Sequence, residues 1–358
     1  MERLVVNSSL QSYTIYMEEK SRFKIPKLLK KEYSSILIIT DTNVAKLYSN
    51  DIVSSFPHDK VYVVVVDAGE QTKSLDTFYY LHTKAIEYGL DRESLIIALG
   101  GGVIGDLAGF VAATFMRGID YVQMPTTILA HDSSVGGKVA INHEKGKNLI
   151  GSFYPPILVL YDTDTLKTLP AREVRSGFAE IIKEAMLADS DLFDRLMSVS
   201  LEGLTLEALN LFIYSGLQIK IKLVEADEKE TGNRKFLNLG HTLGHALEAK
   251  LGYGVLTHGE AVAIGLLFMI YVSERELGAS LPTETLIKWF KKNGYINPLT
   301  LDMVDELVEI ILHDKKTVNQ KIQMILLRNL AGPIIQPLEA KKLKSYLQGF
   351  IVDGISKR

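Results

Sequence analysis

The stretch Ser94–Asp106 reads Ser-Leu-Ile-Ile-Ala-Leu-Gly-Gly-Gly-Val-Ile-Gly-Asp, passing from an apolar run into closely spaced glycines. The apolar part, Ser94–Leu99, is typical of a buried parallel strand. The glycines of Gly100–Gly105 match the Gly-x-Gly-x-x-Gly pattern that joins a strand to a helix beneath a dinucleotide, and Asp120 follows where the pattern expects a ribose-binding acid. Backbone N–H groups at such a turn can approach a pyrophosphate. A tight turn without a ligand is the alternative.

Similar apolar runs lie on both sides of this stretch. Ile36–Thr40, Val61–Val66 and Ile157–Tyr161 have the composition of buried strands, and Ser74–Tyr88 has a helical period between two of them. Residues 1–33 indicate a strand pair that leads to a helix. Strands that alternate with helices predict a parallel α/β sheet with both faces covered, in which ligands bind at the carboxyl ends of the strands.

From about Pro170 the periodicity becomes helical. Helices are predicted over Val174–Ala188, Leu204–Glu228, Glu260–Glu276, Thr283–Asn293 and Met303–Leu312, with a hairpin of Lys321–Leu327 and a partner near Gly332–Ile335. The fold prediction is an N-terminal Rossmann-like parallel α/β domain followed by an all-α C-terminal domain. We expect residues 1–168 to bind the dinucleotide and residues 169–358 to bind metal and substrate.

Three of the eight histidines fall close together, in Asn238–His245 and just after it. His241 and His245 are four residues apart and share a face of a helix, and His258 begins a second apolar helix. Two imidazoles with a carboxylate from elsewhere in the chain predict a metal site with an open coordination position. Ordinary core or surface histidines are the simpler alternative. Thr242 stands where a His-Glu-x-x-His metalloprotease needs glutamate, so peptide hydrolysis is not expected.

Further polar clusters are candidates for ligand contacts. The Ser/Gly-rich segment Asp132–Lys138 is typical of an anion-binding loop. Lys145, Lys147 and Asn148 follow in a glycine-containing loop, where they are either ligand contacts or solvated charges. Glu180 and Lys183 lie three apart on one helix face, which by itself also fits a surface ion pair.

Bulk composition narrows the class of protein. The chain has 358 residues, which favours two domains, and its formal net charge of −3 is not typical of nucleic-acid binding. The absence of cysteine excludes disulfides and thiolate ligands. No signal peptide or membrane-spanning run is recognised. We therefore expect a cytoplasmic protein that acts on a small molecule, with neither nucleic acid nor membrane as a partner.

The motifs taken together resemble the 3-dehydroquinate synthase family of the sugar-phosphate cyclases, over nearly the whole chain. The matching segments are Gly69–Lys73, Gly100–Asp106, Met116–Gly118, Pro125–Thr127, Asp132–Lys138, Gly146–Asn148, Ser176–Lys183, Asn238–His245 and His258–Ala261. The resemblance implies conversion of 3-deoxy-D-arabino-heptulosonate 7-phosphate to 3-dehydroquinate and phosphate. The implied steps are transient NAD-dependent oxidation, phosphate elimination, reduction and intramolecular aldol closure.

The resemblance also implies roles for individual residues. The implied ligands of the metal, which is Zn²⁺ with Co²⁺ as an alternative, are Glu180, His241 and His258. The resemblance implies that His245 contacts the substrate and is not a metal ligand. The implied NAD contacts are Asp41, Asn43, Glu70, Lys73, Gly102, Val103, Ile104, Gly105, Asp106, Thr126, Thr127, Lys138, Lys147, Thr165, Leu166, Lys167 and Thr168. The implied catalytic or substrate contacts are Lys138, Asn148, Lys183, Lys220, Arg234, Asn238, His245, His258 and one of Lys315 or Lys316. Arg117 resembles an arginine donated to the neighbouring subunit, which implies a homodimer.

Three alternatives remain open at this point. Another sugar-phosphate cyclase would share the mechanism, although the retained Lys220, Arg234 and Asn238 favour a carboxylated substrate. A metal-dependent polyol dehydrogenase on the same fold would accumulate NADH. A non-catalytic NAD-binding scaffold would need neither the metal ligands nor the cations.

Overall fold

The computed structural model describes residues 2–57, 59–313, 317–318 and 321–353. The chain forms two compact units. The first consists of Met1–Pro170 with Lys220–Glu228, and the second of Ala171–Ile219 with Lys229–Arg358. Lys220 therefore belongs to the first unit, although it lies far beyond the main boundary in the sequence.

The first unit is built on a seven-stranded sheet. Its strands are β1 (Glu2–Val6), β2 (Tyr13–Glu18), β3 (Ile36–Asp41), β4 (Val61–Val66), β5 (Leu95–Gly100), β6 (Asp120–Pro125) and β9 (Leu158–Asp162), beside a separate hairpin of β7 (Lys138–His143) and β8 (Gly146–Phe153). Its helices are α1 (Ile25–Leu28), α2 (Asn50–Val53), α3 (Leu75–Glu87), α4 (Gly102–Thr114) and α5 (Ala130–Ser133). The sheet order is β1-β2-β9-β6-β5-β3-β4, with β1 and β2 antiparallel and the other pairs parallel.

Two apolar layers explain why the central strands are apolar throughout. Alternate residues of a strand point to opposite faces. In β3, Leu37 and Ile39 pack in the layer that contains α3 and α4, whereas Ile36 and Ile38 pack in the layer on the other face. The sheet thus buries both faces, as the sequence predicted.

The carboxyl ends of the parallel strands share one edge of the sheet. The register pairs Asp41 with Val66 and Gly100 with Pro125, so the segments after β3, β4, β5 and β6 leave from the same side. Asp120 instead pairs with Leu95 at the start of β5, which places it at the opposite edge, where its carboxylate accepts a hydrogen bond from Tyr33 at 3.0 Å. The interpretation of Asp120 as a ribose-binding acid is therefore wrong.

The segment that contains Lys147 and Asn148 is a strand, not the loop expected from the sequence. It belongs to β8, which pairs antiparallel with β7. Most side chains of β8 are exposed. The strand therefore lacks the alternation of apolar and polar residues by which a half-buried strand is recognised.

The second unit is largely helical. Its helices are α6 (Ala171–Ala188), α7 (Ser190–Ser198), α8 (Leu206–Ala226, whose last turns belong to the first unit), α9 (His241–Leu251), α10 (His258–Leu277), α11 (Thr283–Lys292), α12 (Val304–His313) and α13 (Ala340–Val352). A small antiparallel sheet joins β10 (Thr317–Val318), β11 (Lys321–Leu327) and β12 (Pro333–Leu338), so the hairpin expected within the helical half is confirmed. The sequence prediction missed α7 and α13. Within the described part of the chain, no helix has both the length and the apolar character required to span a bilayer.

Candidate active site

Three histidines converge where α9 and α10 begin. His241 and His245 lie one turn apart on α9, and His258 is the first residue of α10, whose Thr257–Glu260 capping box holds the helix start. One ring nitrogen from each histidine lies within 4.8 Å of those of the other two. The structure thus brings these three imidazoles together.

Glu180 on α6 completes this cluster. Its Oε1 lies 3.5 Å from Nε2 of His241 and 3.5 Å from Nε2 of His258. Its other oxygen contacts the ammonium of Lys183 one turn along the helix. Both side chains of that pair are about 1% exposed, so the alternative of a surface ion pair is excluded.

Small residues allow the three helices to approach so closely. A Cβ on Gly259 would lie 1.8 Å from the carbonyl oxygen of Ser176, whose hydroxyl accepts a hydrogen bond from the Gly259 N–H at 3.1 Å. A Cβ on Gly265 would lie 1.8 Å from the carbonyl oxygen of Gly240, immediately before α9. Ser176 is one turn before Glu180, so this contact sets the carboxylate opposite the start of α10.

Hydrogen bonds to the second ring nitrogen orient two of the imidazoles. His241 Nδ1 lies 3.1 Å from the carbonyl oxygen of Leu239, and His258 Nδ1 lies 3.0 Å from Oε2 of Glu248. An Nδ1–H that donates to these acceptors leaves Nε2 facing Glu180. Burial opposes protonation of His258, but the carboxylates of Glu248 and Glu180 outweigh it and raise the pKa of His258 to about 10. The site therefore favours positive charge at this point.

The donor set fits a divalent metal ion. Two ligand atoms about 2.1 Å from a tetrahedral ion lie about 3.4 Å apart. The 3.5 Å separations of Glu180 Oε1 from the two Nε2 atoms match that spacing. His245 is also near, with its ring centroid 5.2 Å from that of His241 and 5.6 Å from that of His258. A nitrogen-and-oxygen set of this kind suits Zn²⁺.

In the first unit, the glycine-rich turn presents the N-terminus of α4 at the carboxyl edge of the sheet. The helix begins at Gly102, and a Cβ there would lie 2.9 Å from the hydroxyl of Ser133. Thr126 follows β6 at the same edge, and its Oγ1 is buried with no hydrogen-bond partner among the described residues. Backbone N–H groups at a helix N-terminus and the nearby Thr126 hydroxyl together fit a phosphate-containing cofactor such as NAD.

A buried lysine organises the polar residues near this turn. Lys73 Nζ lies 2.6 Å from Asp106 Oδ2 on α4 and 2.5 Å from Asn148 Oδ1 on β8. Glu70, 3.7 Å from Lys73, accepts a hydrogen bond from Asn142 at 2.8 Å. Lys147 Nζ is 3.9 Å from Glu70. The structure thus brings together five residues that the resemblance assigned to NAD or substrate: Glu70, Lys73, Asp106, Lys147 and Asn148.

The other implied NAD contacts lie on nearby segments of the first unit. Asp41 ends β3 and accepts hydrogen bonds from the N–H groups of Asn43 and Val44 at 2.8 and 3.0 Å. The 3₁₀ segment Thr163–Thr168 follows β9, and the Thr168 hydroxyl lies 2.6 Å from that of Tyr48. The remaining members are Val103, Ile104 and Gly105 in the first turns of α4, Thr127 after β6, and Thr165 and Leu166, which are buried. Lys167 pairs with Glu19 and Asp164, both at 2.8 Å, on the surface.

The implied substrate contacts are distributed over both units. In the second unit, Arg234 is buried, and Asn238 donates to Glu230 Oε1 at 2.7 Å. In the first, Lys220 is buried 2.8 Å from Asp132, and Lys138 begins β7 with its side chain exposed. Arg117 is exposed after a turn with positive φ at Met116 and Arg117. Lys315 and Lys316 lie outside the described residues.

The sequence analysis gave no individual role to three carboxylates that contact proposed site residues. They are Glu248 beside His258, Asp132 beside Lys220 and Glu230 beside Asn238. A signal existed for Glu248, since it lies three residues after His245 and seven after His241 and so shares their helix face. No local spacing indicates the other two, because Lys220 lies 88 residues after Asp132 and a 3₁₀ segment leads from Glu230 to Asn238.

The fold and the two clusters place this chain in a class with solved structures of known cyclases. A 2-deoxy-scyllo-inosose synthase complexed with carbaglucose-6-phosphate, NAD⁺ and Co²⁺ matches with a TM-score of 0.88 and 26% identity, over 97% of this chain and 99% of that one. The 2-epi-5-epi-valiolone synthase of Streptomyces hygroscopicus, with NAD⁺ and Zn²⁺ bound, matches with a TM-score of 0.81 and 25% identity, over 97% and 99%. Glycerol dehydrogenase of Schizosaccharomyces pombe shares the fold, with a TM-score of 0.65 and 19% identity, over 96% and 89%.

Sequence comparison identifies the family within that class. The 3-dehydroquinate synthase N-terminal model matches residues 63–176, and the C-terminal model matches residues 177–317. The 3-dehydroquinate synthase of Oceanobacillus iheyensis is 50% identical over 98% of both chains, and that of Bacillus pumilus is 47% identical over 97% of both. The chain belongs to the 3-dehydroquinate synthase family.

Proposed function

We propose that this chain converts 3-deoxy-D-arabino-heptulosonate 7-phosphate to 3-dehydroquinate and phosphate. The observation that carries the proposal is the identity of about half of all positions, over essentially the full length, with relatives named for that activity. The residue clusters described above agree with the chemical demands of this reaction. Each role given below to an individual side chain is part of the proposal.

Glu180, His241 and His258 would hold a divalent ion, Zn²⁺ or Co²⁺. The N-terminus of α4, with Thr126, Lys73 and Asp106 around it, would hold NAD. When bound, NAD⁺ provides a hydride acceptor and donor, and the metal provides a Lewis acid. Two solved cyclases of this fold carry NAD⁺ with Co²⁺ or Zn²⁺, which supports the same pair of cofactors here.

The chain's own cations fit a substrate with a phosphate and a carboxylate. Lys183, Lys220 and Arg234 are buried side chains whose charge suits an anion, and Arg234 can bind a planar carboxylate with two parallel hydrogen bonds. Asn238 and His245 add polar contacts close to these positions in the sequence. Lys138, Asn148, and Lys315 or Lys316 complete the proposed set.

Release of phosphate from the heptulosonate phosphate, in the presence of NAD⁺ and Zn²⁺, tests this function. We expect continuous phosphate release without net accumulation of NADH, because the cofactor is regenerated in each turnover. Turnover of glucose 6-phosphate in place of the heptulosonate phosphate would instead favour another sugar-phosphate cyclase. Stoichiometric NADH formation would favour a polyol dehydrogenase. If no substrate were turned over, a non-catalytic NAD-binding scaffold would be the remaining interpretation.

A homodimer in the cytoplasm is the second part of the proposal. Exposed Arg117, held in a turn of left-handed backbone, is well placed to reach a second copy of the chain. The test mixes inactive Arg117→Ala protein with inactive Glu180→Ala protein. Random reassortment makes half of the dimers hybrid, each with one complete site, so we expect activity of about one quarter of the wild type. No recovery in a mixture shown to exchange subunits would place Arg117 in its own subunit's site.

A further inference from the structure

We propose that Glu248 is a positioning residue that selects the ring orientation and tautomer in which His258 binds the metal. The inference rests on the proposed metal site and extends it to a residue outside the ligand set. Glu248 lies on α9, whereas the histidine that it contacts begins α10. The carboxylate thus connects one ligand-bearing helix to the ligand on the next.

The geometry of the contact is that of a buried charge-assisted hydrogen bond. Oε2 of Glu248 lies 3.0 Å from Nδ1 of His258, and the Glu248 side chain is 4% exposed. With Nδ1–H donated to this carboxylate, the imidazole lies so that Nε2 is 3.5 Å from Oε1 of Glu180. The two ring nitrogens therefore face two different carboxylates. Glu180 can bind the same metal ion as Nε2, and Glu248 holds the ring in its orientation.

His241 offers a comparison within the same cluster. Its Nδ1 lies 3.1 Å from the carbonyl oxygen of Leu239, a neutral acceptor in the same stretch of chain. Both candidate ligands thus have an acceptor at Nδ1, which is a carboxylate oxygen for His258 and a backbone carbonyl oxygen for His241. A carboxylate behind a ligating imidazole makes the ring a stronger donor than a carbonyl does, because the negative charge stabilises the positive charge that the ring acquires on binding a cation.

The position of Glu248 on α9 is consistent with this role. His241, His245 and Glu248 follow at spacings of four and three residues, so all three lie on one face of the helix. His258 follows the loop after this helix, where Gly252 and Gly254 have positive φ values of 87° and 97°. The bond to Glu248 spans this loop from α9 to the first residue of α10, so it helps to determine where His258 comes to lie.

The test compares Glu248→Gln, Glu248→Ala and a surface control. The glutamine keeps the size and a hydrogen-bond acceptor but removes the charge, and the alanine removes both. Glu306→Gln is the control, because Glu306 also contacts α9, through Lys250, but is 54% exposed. Zn²⁺ affinity is measured by competition with a chelator, and the Co²⁺ absorption spectrum reports the ligand field. Metal-free unfolding is followed in parallel.

We expect Zn²⁺ affinity to fall about tenfold in Glu248→Gln and up to about a hundredfold in Glu248→Ala, within the usual range for partners behind a metal ligand. The Co²⁺ spectrum should shift in both, and the control should match the wild type. In a His258→Ala background, Glu248→Gln should have no further effect on affinity. A purely structural role would lower the stability of the metal-free protein but leave the affinity and spectrum unchanged, which would overturn the proposal.

The outcome is separable from that of the proposed function. Metal affinity and the Co²⁺ spectrum require no substrate and no turnover. A wild-type protein that binds Zn²⁺ but does not release phosphate would contradict the proposed function and leave the role of Glu248 intact. A wild-type protein that releases phosphate, together with unchanged metal binding in Glu248→Gln, would contradict the role of Glu248 and leave the proposed function intact.

Discussion

The glycine-rich turn of the first unit and the histidine cluster of the second unit are assembled in different ways. The turn is local, because strand β5, Gly100–Gly105 and the start of α4 are continuous in sequence. The cluster needs three helices, and its contacts join Glu180, His241 and His258 across as many as 78 residues. A local motif tolerates change elsewhere in the fold, whereas a site made by helix packing depends on every close approach between the helices.

The largest effect is expected from Glu180→Ala. Removal of the one carboxylate among the proposed ligands should abolish tight metal binding, and activity should fall by about three orders of magnitude or more, since a catalytic metal contributes several kcal/mol. NAD affinity, measured by calorimetry, should change less than about twofold because the turn belongs to the other unit. Equal loss of NAD and metal binding would show that the two sites are not separate.

Lys73→Met tests the polar cluster beside the glycine-rich turn. The variant leaves the Asp106 carboxylate, whose side chain is 18% exposed, without its cation, and we expect a loss of about 3 kcal/mol in unfolding free energy, with weakened NAD binding. Burial raises the pKa of Asp106 and Lys73 counteracts it, so this carboxyl should titrate higher in the variant than in the wild type. An acid whose folded pKa is raised is stabilising when protonated, so the loss should be smaller near about pH 5 than near about pH 8.

The control for this variant is Lys84→Met. Lys84 pairs with Glu87 at 2.7 Å, but Glu87 is 52% exposed. Such a surface pair contributes about 0–1 kcal/mol. Urea unfolding of both variants at the two pH values measures the loss in the free energy of unfolding. Equal losses would mean that the Lys73 pair contributes no more to stability than a surface ion pair.

Gly259→Ala tests the helix packing behind the histidine cluster. The added Cβ would lie 1.8 Å from the backbone of Ser176, so α6 and α10 must separate, at an expected cost of about 3 kcal/mol or more. Metal affinity should fall as well, because Glu180 and His258 move apart. Gly89→Ala is the matched control: φ is +66° there and no atom lies within 4 Å, so only backbone strain of about 1 kcal/mol is expected. Thermal unfolding and a chelator titration measure the two effects, and unchanged metal affinity would contradict the packing argument.

The smallest effect is expected from Lys167→Ala. The side chain is 50% exposed and pairs with Glu19 and Asp164, so we expect its ammonium to stay in these pairs and not to contact NAD. NAD affinity should change less than about threefold, as is usual for a surface ion pair. A calorimetric titration that showed a tenfold loss would assign the Lys167 side chain itself to the cofactor.

Sequence patterns anticipated much of both regions. The strand bounds at Val61–Val66 and the helix start at Thr283 agree with the structure, because apolar periodicity is a local property of the chain. The hairpin β7–β8 was missed, since its exposed second strand has no apolar alternation. The assignment of Asp120 was wrong because spacing along the chain does not say at which edge of the sheet a residue lies.

Apart from the β7–β8 hairpin, α7 and α13, the sequence alone determined the main strands and helices, the glycine turn before α4 and the pairing of His241 with His245 on one helix face. These follow from backbone preferences and periodicity within a few turns of chain. Only the tertiary structure decided that Glu180 faces His258, that Glu248 holds the far side of that ring, and that Lys220 belongs with Asp132 in the first unit. Such contacts join residues distant in sequence, and they depend on where glycines such as Gly259 let helices touch, which no local pattern specifies.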